Sequence, residues 1–286
     1  MRQQVAITVD VEDWPQSSWD HSLPITSRAA DNTHRMLDFF GLHDTRVTLF
    51  VLGKFARAFP DVVRRMEREG HEVACHGDGH EEVFSQSRER FALDVRAAKC
   101  VLEDLAGRAV EGYRAPDFSI LPAQFWAFEV LAELGFSYDS SMFPIRSSRY
   151  GVPHWPLWPT RLKLDSGLSL VEFPLSIVRL AGRNWPLGGG GYQRLLPGPV
   201  FRLLSGRVMK ERPFVLYCHP YEFDAFEFDH LDLDIPWSVR LHQGLGRRFV
   251  PARMAAFLRS FGGGPLRDLM QPADFPEFAP ATLTGV

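Results

Sequence analysis

Three carboxylates crowd the end of an early apolar run, in Thr8-Val9-Asp10-Val11-Glu12-Asp13-Trp14. Bringing Asp10, Glu12 and Asp13 into so small a space is costly unless a cation or a shared proton offsets the repulsion. A solvated acidic turn capping a following helix is the plainer alternative. A second apolar run ends in Cys75-His76-Gly77-Asp78-Gly79-His80. The four-residue spacing lets the imidazoles of His76 and His80 converge on one ion, and the two glycines point to a tight loop rather than a long helix. Alone, such a pair is more often a pair of surface or core histidines. A carboxylate cluster at an equivalent strand end reverses that judgement.

Three further segments carry reactive groups. Tyr113-Arg114-Ala115-Pro116-Asp117-Phe118 offers an arginine that can hold a carboxylate ionised through a bidentate pair, with the proline fixing the turn. A structural salt bridge would look the same. His219 closes Phe214-Val215-Leu216-Tyr217-Cys218. Small changes of environment move a histidine across neutral pH, so His219 is a candidate general acid, with a satisfied core histidine as the alternative. Asp139, in Tyr138-Asp139-Ser140-Ser141, is a candidate to orient it, although Asp-Ser-Ser is also ordinary turn chemistry. His21, His34, His43, His71, His154, His230 and His242 have no comparable setting and read as structural or surface residues. Gly188 to Gly191 lacks the Lys-Ser/Thr that completes a phosphate loop and reads as a flexible loop beside a cleft.

The elements that must position these groups are legible from periodicity. Apolar runs at Val5 to Val9, Val47 to Val51, Glu72 to Cys75, Leu170 to Phe173 and Phe214 to Cys218 read as strands buried on both faces. Between them lie helical patterns at Thr33 to Phe40, Pro60 to Arg68, Arg88 to Leu105, Ala123 to Leu134, Val200 to Met209 and Ala252 to Phe261. In the clearest, Phe91, Val95, Ala98, Leu102 and Leu105 recur at three- and four-residue steps and Gly107 supplies the stop. Strand alternating with helix predicts parallel βαβ units, in an open doubly wound sheet or a barrel. In both architectures ligands bind at the C-terminal ends of the strands, where these polar residues cluster. Residues 147–161 and 185–191 read as long loops.

The chain of 286 residues is long enough for one large core, and a single domain over residues 1–261 with an irregular tail at 262–286 is the expected organisation. Its formal charge of -3, with both signs interspersed, gives no broad electropositive surface, so nucleic acid is not the expected partner. Three cysteines are too few for a disulfide framework. Met1-Arg2-Gln3-Gln4 runs directly into the first strand without a secretory pattern, and no run reaches the ~18 apolar residues of a membrane span. A cytoplasmic protein is expected.

Taken in order, the five segments resemble the carbohydrate esterase family 4, the NodB-like polysaccharide deacetylases: an acidic motif on strand one, His-x-x-x-His, Arg-x-Pro, an Asp motif and a terminal histidine. The resemblance runs from Asp10 to His219. Asp10 to Trp14, Asn184-Trp185-Pro186 to Tyr192, and His219-Pro220 look like the subgroup associated with bacterial exopolysaccharide loci of the PEP-CTERM type. The likeness implies an α/β fold, a distorted (β/α) barrel, and hydrolysis of N-acetyl groups on a glycan.

By position, the resemblance makes Asp10 the general base, Arg114 its orienting partner and His219 the general acid. His76 and His80 become ligands of a divalent metal, most simply Zn²⁺. The third ligand falls to Glu12 or Asp13, because Val11 stands where the family commonly has a second aspartate. Gly77 stands in place of a Ser or Thr, Tyr217 in place of a leucine, and Asp117-Phe118 in place of Tyr-Gly. Tyr217 then shapes the acetyl pocket, and a backbone amide at Asp117 serves as oxyanion donor. Trp14, Trp155, Trp158 and Trp185 either face sugar rings or pack in the core. A hydrolase of small cyclic amides on the same scaffold, and a non-catalytic glycan-binding protein, are the competing expectations.

Overall fold

The computed structural model describes residues 4–147, 149–270 and 274–283. Position 148 of the expected 147–161 loop, and positions 271–273 and 284–286 of the expected tail, lie outside them. The first β-rich run becomes β1 (Val5–Val11), followed by α1 (Ser27–Leu42), β2 (Thr48–Val51), α2 (Gly53–Ala58), α3 (Pro60–Arg68) and β3 (Glu72–Cys75). Next come α4 (Arg88–Ala106), β4 (Gly112–Tyr113), α5 (Trp126–Glu133), β5 (Tyr138–Asp139), β6 (Thr160–Lys163) and β7 (Ser169–Glu172). The chain continues with β8 (Ile177–Leu180), β9 (Arg183–Pro186), α6 (Gly190–Leu195), α7 (Gly198–Met209) and β10 (Phe214–Cys218). It ends with α8 (Trp237–Gly244), α9 (Val250–Phe261) and β11 (Glu277–Phe278).

The central sheet has the order β10-β1-β2-β3-β4-β5-β7-β6-β11. From β10 to β7 every neighbouring pair is parallel; only β6 runs against β7. This is the expected α/β class with a mostly parallel sheet. Among the described residues no ladder joins β10 to the far edge, but hydrogen bonds span the space beside it. Tyr217 N–H donates to the Gly188 carbonyl at 2.7 Å, and Gly188 N–H donates to the Ser176 carbonyl at 2.7 Å. Gly188 is required here, because a Cβ would lie 2.4 Å from the Val215 carbonyl oxygen. The glycine run therefore serves close approach to β10 rather than looseness, and Gly190 opens α6.

Alternation along the strands divides the interior in two. Val5, Ile7, Val9 and Val11 face one core, with Phe40 of α1, Phe55 of α2 and Phe91 of α4. Ala6 faces the other, with Phe50, Ala74, Tyr138, Val171 and Val215. The polar residues of interest share the parity of this second set. Thr8, Asp10 and Glu12 continue from Ala6, His76 from Ala74, Arg114 from Gly112, and Tyr217 and His219 from Val215. Four strands therefore deliver their reactive side chains to one side of the sheet, at its C-terminal edge.

The expected helices form where the periodicity predicts, and α1, α7 and α9 start earlier than expected. α4 is capped by the Ser87 side chain, which accepts from Arg90 N–H, and ends at Gly107 with φ 67°. α1 begins before Thr33, and α5 is shortened by a 3-10 turn at Pro122–Gln124. The reading of 185–191 as loop misses the antiparallel pair β8 and β9, which is joined through Ala181 and Gly182 at φ 49° and 75°. After Gly262 the chain packs against the sheet. Ile7 N–H donates to Gly264, Leu266 is buried, and β11 pairs with β6.

Candidate metal centre and cleft

Glu12 lies one residue past β1 and is buried, with its Oε1 between two imidazoles. His76 Nε2 is 3.0 Å away and His80 Nε2 3.1 Å. His76 Nδ1 lies 2.8 Å from the Arg114 carbonyl, which can only accept, so Nδ1 carries a proton and Nε2 is the atom turned toward Glu12. His80 reaches the same point from a backbone at φ 64°. For a non-glycine residue that conformation is strained, and it is the kind of strain that accumulates at functional sites.

The donor set fits a divalent ion. The three ligand atoms of Glu12, His76 and His80 lie within 4.8 Å of one another and all three residues are buried. Bonds of about 2.0–2.1 Å in a tetrahedron would separate ligand atoms by roughly 3.3 Å, close to the spacings above. Three protein ligands with a fourth position open is the arrangement of catalytic rather than structural zinc sites. Burial pushes the Glu12 carboxyl up, but the charges of His80 and His219 and the bonds from His76 and His80 outweigh it and hold it well below the usual range. The second carboxylate offered by the sequence, Asp13, is turned away. Its Oδ2 accepts Thr26 N–H at 2.6 Å just ahead of α1, and burial pushes its pKa up to about 6. Asp13 holds the residue just ahead of α1; Glu12 stands with the histidines.

Asp10, at the inner face of β1, receives Arg114 Nη1 at 2.7 Å. Arg114 is fully buried and also donates to Thr8 Oγ1 at 2.8 Å, the Ser140 carbonyl at 2.9 Å and Ser140 Oγ at 3.0 Å. Its guanidinium lies 4.2 Å from the Phe50 ring centre. Every partner is a fixed part of a neighbouring strand end, so the arginine has one geometry.

His219 follows β10 with Nε2 at 4.0 Å from Glu12 Oε1 and its ring stacked on Tyr221 at 4.7 Å. Burial pulls its pKa down, but Glu12, Glu222 and Asp10 together outweigh this and push it up to about 9. The orienting partner is Glu222, whose Oε1 lies 2.9 Å from His219 Nδ1. Asp139, expected in that role, is a correction. Its carboxylate accepts Ser141 N–H at 2.9 Å and Ser141 Oγ at 2.7 Å and is buried beside Glu172. Burial raises both carboxyls of that pair, Glu172 well above the usual range, as expected when two like charges share one proton. The signal that finds Glu222 is its place three residues after His219, where a tight turn brings the two together.

A cavity of about 310 Å³ opens over this centre, lined by Asp10, Glu12, His80, Asp117, Tyr217 and His219 among others. Asp117 and Phe118 both have positive φ, 51° and 52°, and Asp117 pairs with Arg149 at 2.7 Å. Tyr217 packs edge-on to Phe118 at 4.9 Å and forms one wall. Trp14 is a second correction. It is buried, 4.8 Å edge-on from Phe228, and shows no face to the cleft. Trp155 is buried as well, whereas Trp158 and Trp185 are exposed away from the cavity lining.

Parts of the chain are similar to known proteins. Residues 2–138 match the model of a family described as polysaccharide deacetylase, and residues 140–271 one described as a domain of unknown function (DUF3473). A peptidoglycan-N-acetylglucosamine deacetylase of Bacillus cereus is 32% identical over 98 residues, covering 34% of this chain and 36% of that protein. A chitooligosaccharide deacetylase of Sinorhizobium fredii is 34% identical over 147 residues, covering 51% of this chain and 61% of that protein. The chain thus spans about a third of the first relative and three-fifths of the second. A solved structure from Mycobacterium smegmatis, assigned to the polysaccharide deacetylases, covers 92% of this chain and 87% of its own with a TM-score of 0.63 at 21% identity. That likeness is one of fold. The first half of the chain, residues 2–138, thus resembles the polysaccharide deacetylases, and the two aligned relatives carry deacetylase names.

Proposed function

We propose that this chain is a metal-dependent hydrolase that removes N-acetyl groups from a glycan. The observation that carries the reading is the convergence of a carboxylate and two imidazoles at Glu12, His76 and His80, with Asp10 and His219 beside it in the same cleft. Glu12, His76 and His80 are the ligands, and Zn²⁺ is the ion their donor types suit best. Such an ion, when bound, supplies a Lewis acid for an amide carbonyl and acidifies water at neutral pH.

The protein's own groups then complete an acyl transfer to water. Asp10, held by Arg114, takes a proton from the attacking water. The developing oxyanion is met by a backbone N–H near Asp117. His219, kept protonated beside Glu222, gives its proton to the departing amine, so that acetate and a free amino sugar leave. Tyr217 forms the wall against which the acetyl methyl sits. The exopolysaccharide setting rests on the sequence likeness of Asp10–Trp14 and the 184–192 segment. Residues 1–261 are proposed as the catalytic domain.

The deciding measurement is acetate release from N-acetylglucosamine oligomers with Zn²⁺, with chelator, and with Asp10→Asn. Release abolished by both controls supports the reading. A chain that binds the ion tightly but hydrolyses hydantoin-like rings instead would transfer the assignment to cyclic amides. Failure to bind any divalent ion would end the mechanism.

A further inference from the structure

Beside the cleft lies a second groove with a different character. It shares Arg194 and Leu195 with the catalytic cavity and continues over Phe226, Leu241, Leu245 and Phe249. These side chains are unusually open: Phe226 is 62% exposed, Leu241 55%, Leu245 56% and Phe249 44%. The helix that carries Leu241, α8, buries none of its eight residues and starts at Trp237, 76% exposed. Isolated exposed apolar side chains need no explanation, but a contiguous set with a polar rim marks a contact surface.

The rim has one sign. Arg240, Arg248 and Arg253 line the groove, and no aspartate or glutamate does. Among the described residues none of these three forms an ion pair with a carboxylate. Arg240 is held by the carbonyls of Phe228, Leu233 and Ile235, and Arg253 by those of Gln193, Arg194 and Leu196. Arg248 sits over the Phe249 ring at 4.6 Å. The guanidinium groups are thus held at the groove without an ion pair among the described residues, although Asp229, Asp232 and Asp234 are exposed on the segment that holds Arg240. Apolar chains beneath and cations at the lining complement an anionic headgroup above hydrocarbon.

We propose that this face docks on the surface of an anionic lipid bilayer, with α8 lying in the interfacial plane. The inference rests on the deacetylase reading for its purpose, since docking would place the open side of the cleft against glycan carried on a lipid at the membrane. It concerns peripheral contact, and no helix of the described residues is long and apolar enough to cross a membrane.

Vesicle flotation of the intact chain tests it. Vesicles of phosphatidylcholine with about one-third phosphatidylglycerol should carry the protein, and pure phosphatidylcholine vesicles should carry at least tenfold less. The double variant Leu241→Asp/Leu245→Asp and the single Arg248→Glu should each lose tenfold or more of the partitioning. Leu93→Asp, at an exposed leucine on α4, should lose none. All of these positions are exposed, and circular dichroism checks that each variant is folded. Hydrolysis of soluble N-acetylated oligomers is assayed in parallel and should be equal in wild type and the double variant, so lost flotation and lost chemistry are separable. Absence of wild-type flotation on anionic vesicles overturns the proposal. So does self-association in sedimentation that the Leu241→Asp/Leu245→Asp pair abolishes without any vesicle binding, which would assign the face to a second copy of the chain.

Discussion

His219 is shared between two carboxylates, Glu12 at 4.0 Å on one nitrogen and Glu222 at 2.9 Å on the other. Of the two, Glu222 is the one within hydrogen-bond distance. Glu222→Gln keeps an oxygen acceptor for His219 Nδ1 and removes the charge. It is expected to lower kcat about 10- to 100-fold, the usual cost of losing a partner that orients a reactive histidine, with KM and bound-metal content little changed. Because Glu222 is one of the groups raising the His219 pKa, the alkaline limb of the rate profile should also move to lower pH. An unmoved limb would show that Glu222 only packs. At this scale the sequence was legible wherever two segments had to converge on one function. His76, His80, Asp10 and Arg114 meet as their types suggest. It was ambiguous between Glu12 and Asp13 because adjacent carboxylates differ only in which side of the chain they leave. The parity of β1 decides for Glu12, and the start of α1 claims Asp13.

Elements carry the site through strand parity and close approach. The five apolar runs were readable as strands because both faces of each are buried, one against the helices and one against the inner core. The β8 and β9 pair was not, since Arg179, Leu180, Arg183 and Trp185 are exposed and give no apolar alternation. The 185–191 segment also hid its purpose. Gly190 begins α6, and a Cβ there would lie 2.4 Å and 2.5 Å from the two carboxylate oxygens of Glu222. Gly190→Ala must therefore displace the Glu222 carboxylate from His219. The expected result is an activity loss comparable to that of Glu222→Gln with far-ultraviolet dichroism unchanged. Gly191→Ala, where a Cβ meets nothing within 4 Å, should stay near wild type. Equal activity of the two variants would disconnect α6 from the site.

Across the whole molecule, one buried histidine away from the cleft couples the fold to pH. His71 precedes β3, is 2% exposed, and its Nδ1 accepts Val47 N–H at 3.2 Å, which requires that nitrogen to be unprotonated. Burial, only partly opposed by Glu69, pulls its pKa from 6.5 to about 4. The unfolded chain therefore takes up a proton near pH 6.5 that the folded chain refuses until about pH 4. Between these values the unfolded state binds more protons, so the contribution of His71 to stability is complete above pH 6.5 and is lost as pH falls toward 4. A depression of this size corresponds to up to about 3 kcal/mol. Other buried carboxyls, Asp13 and Asp94 among them, have raised pKa values and act in the opposite sense, so the total curve does not isolate one group. The difference between wild type and His71→Gln does. Measured by urea unfolding from pH 7.5 to 4, the wild-type advantage should shrink by roughly 2–3 kcal/mol, the size that linkage assigns to this shift. A gap that stays constant over that range would mean that the imidazole titrates alike in both states, and that the strand start at Val47 and Glu72 tolerates a buried charge.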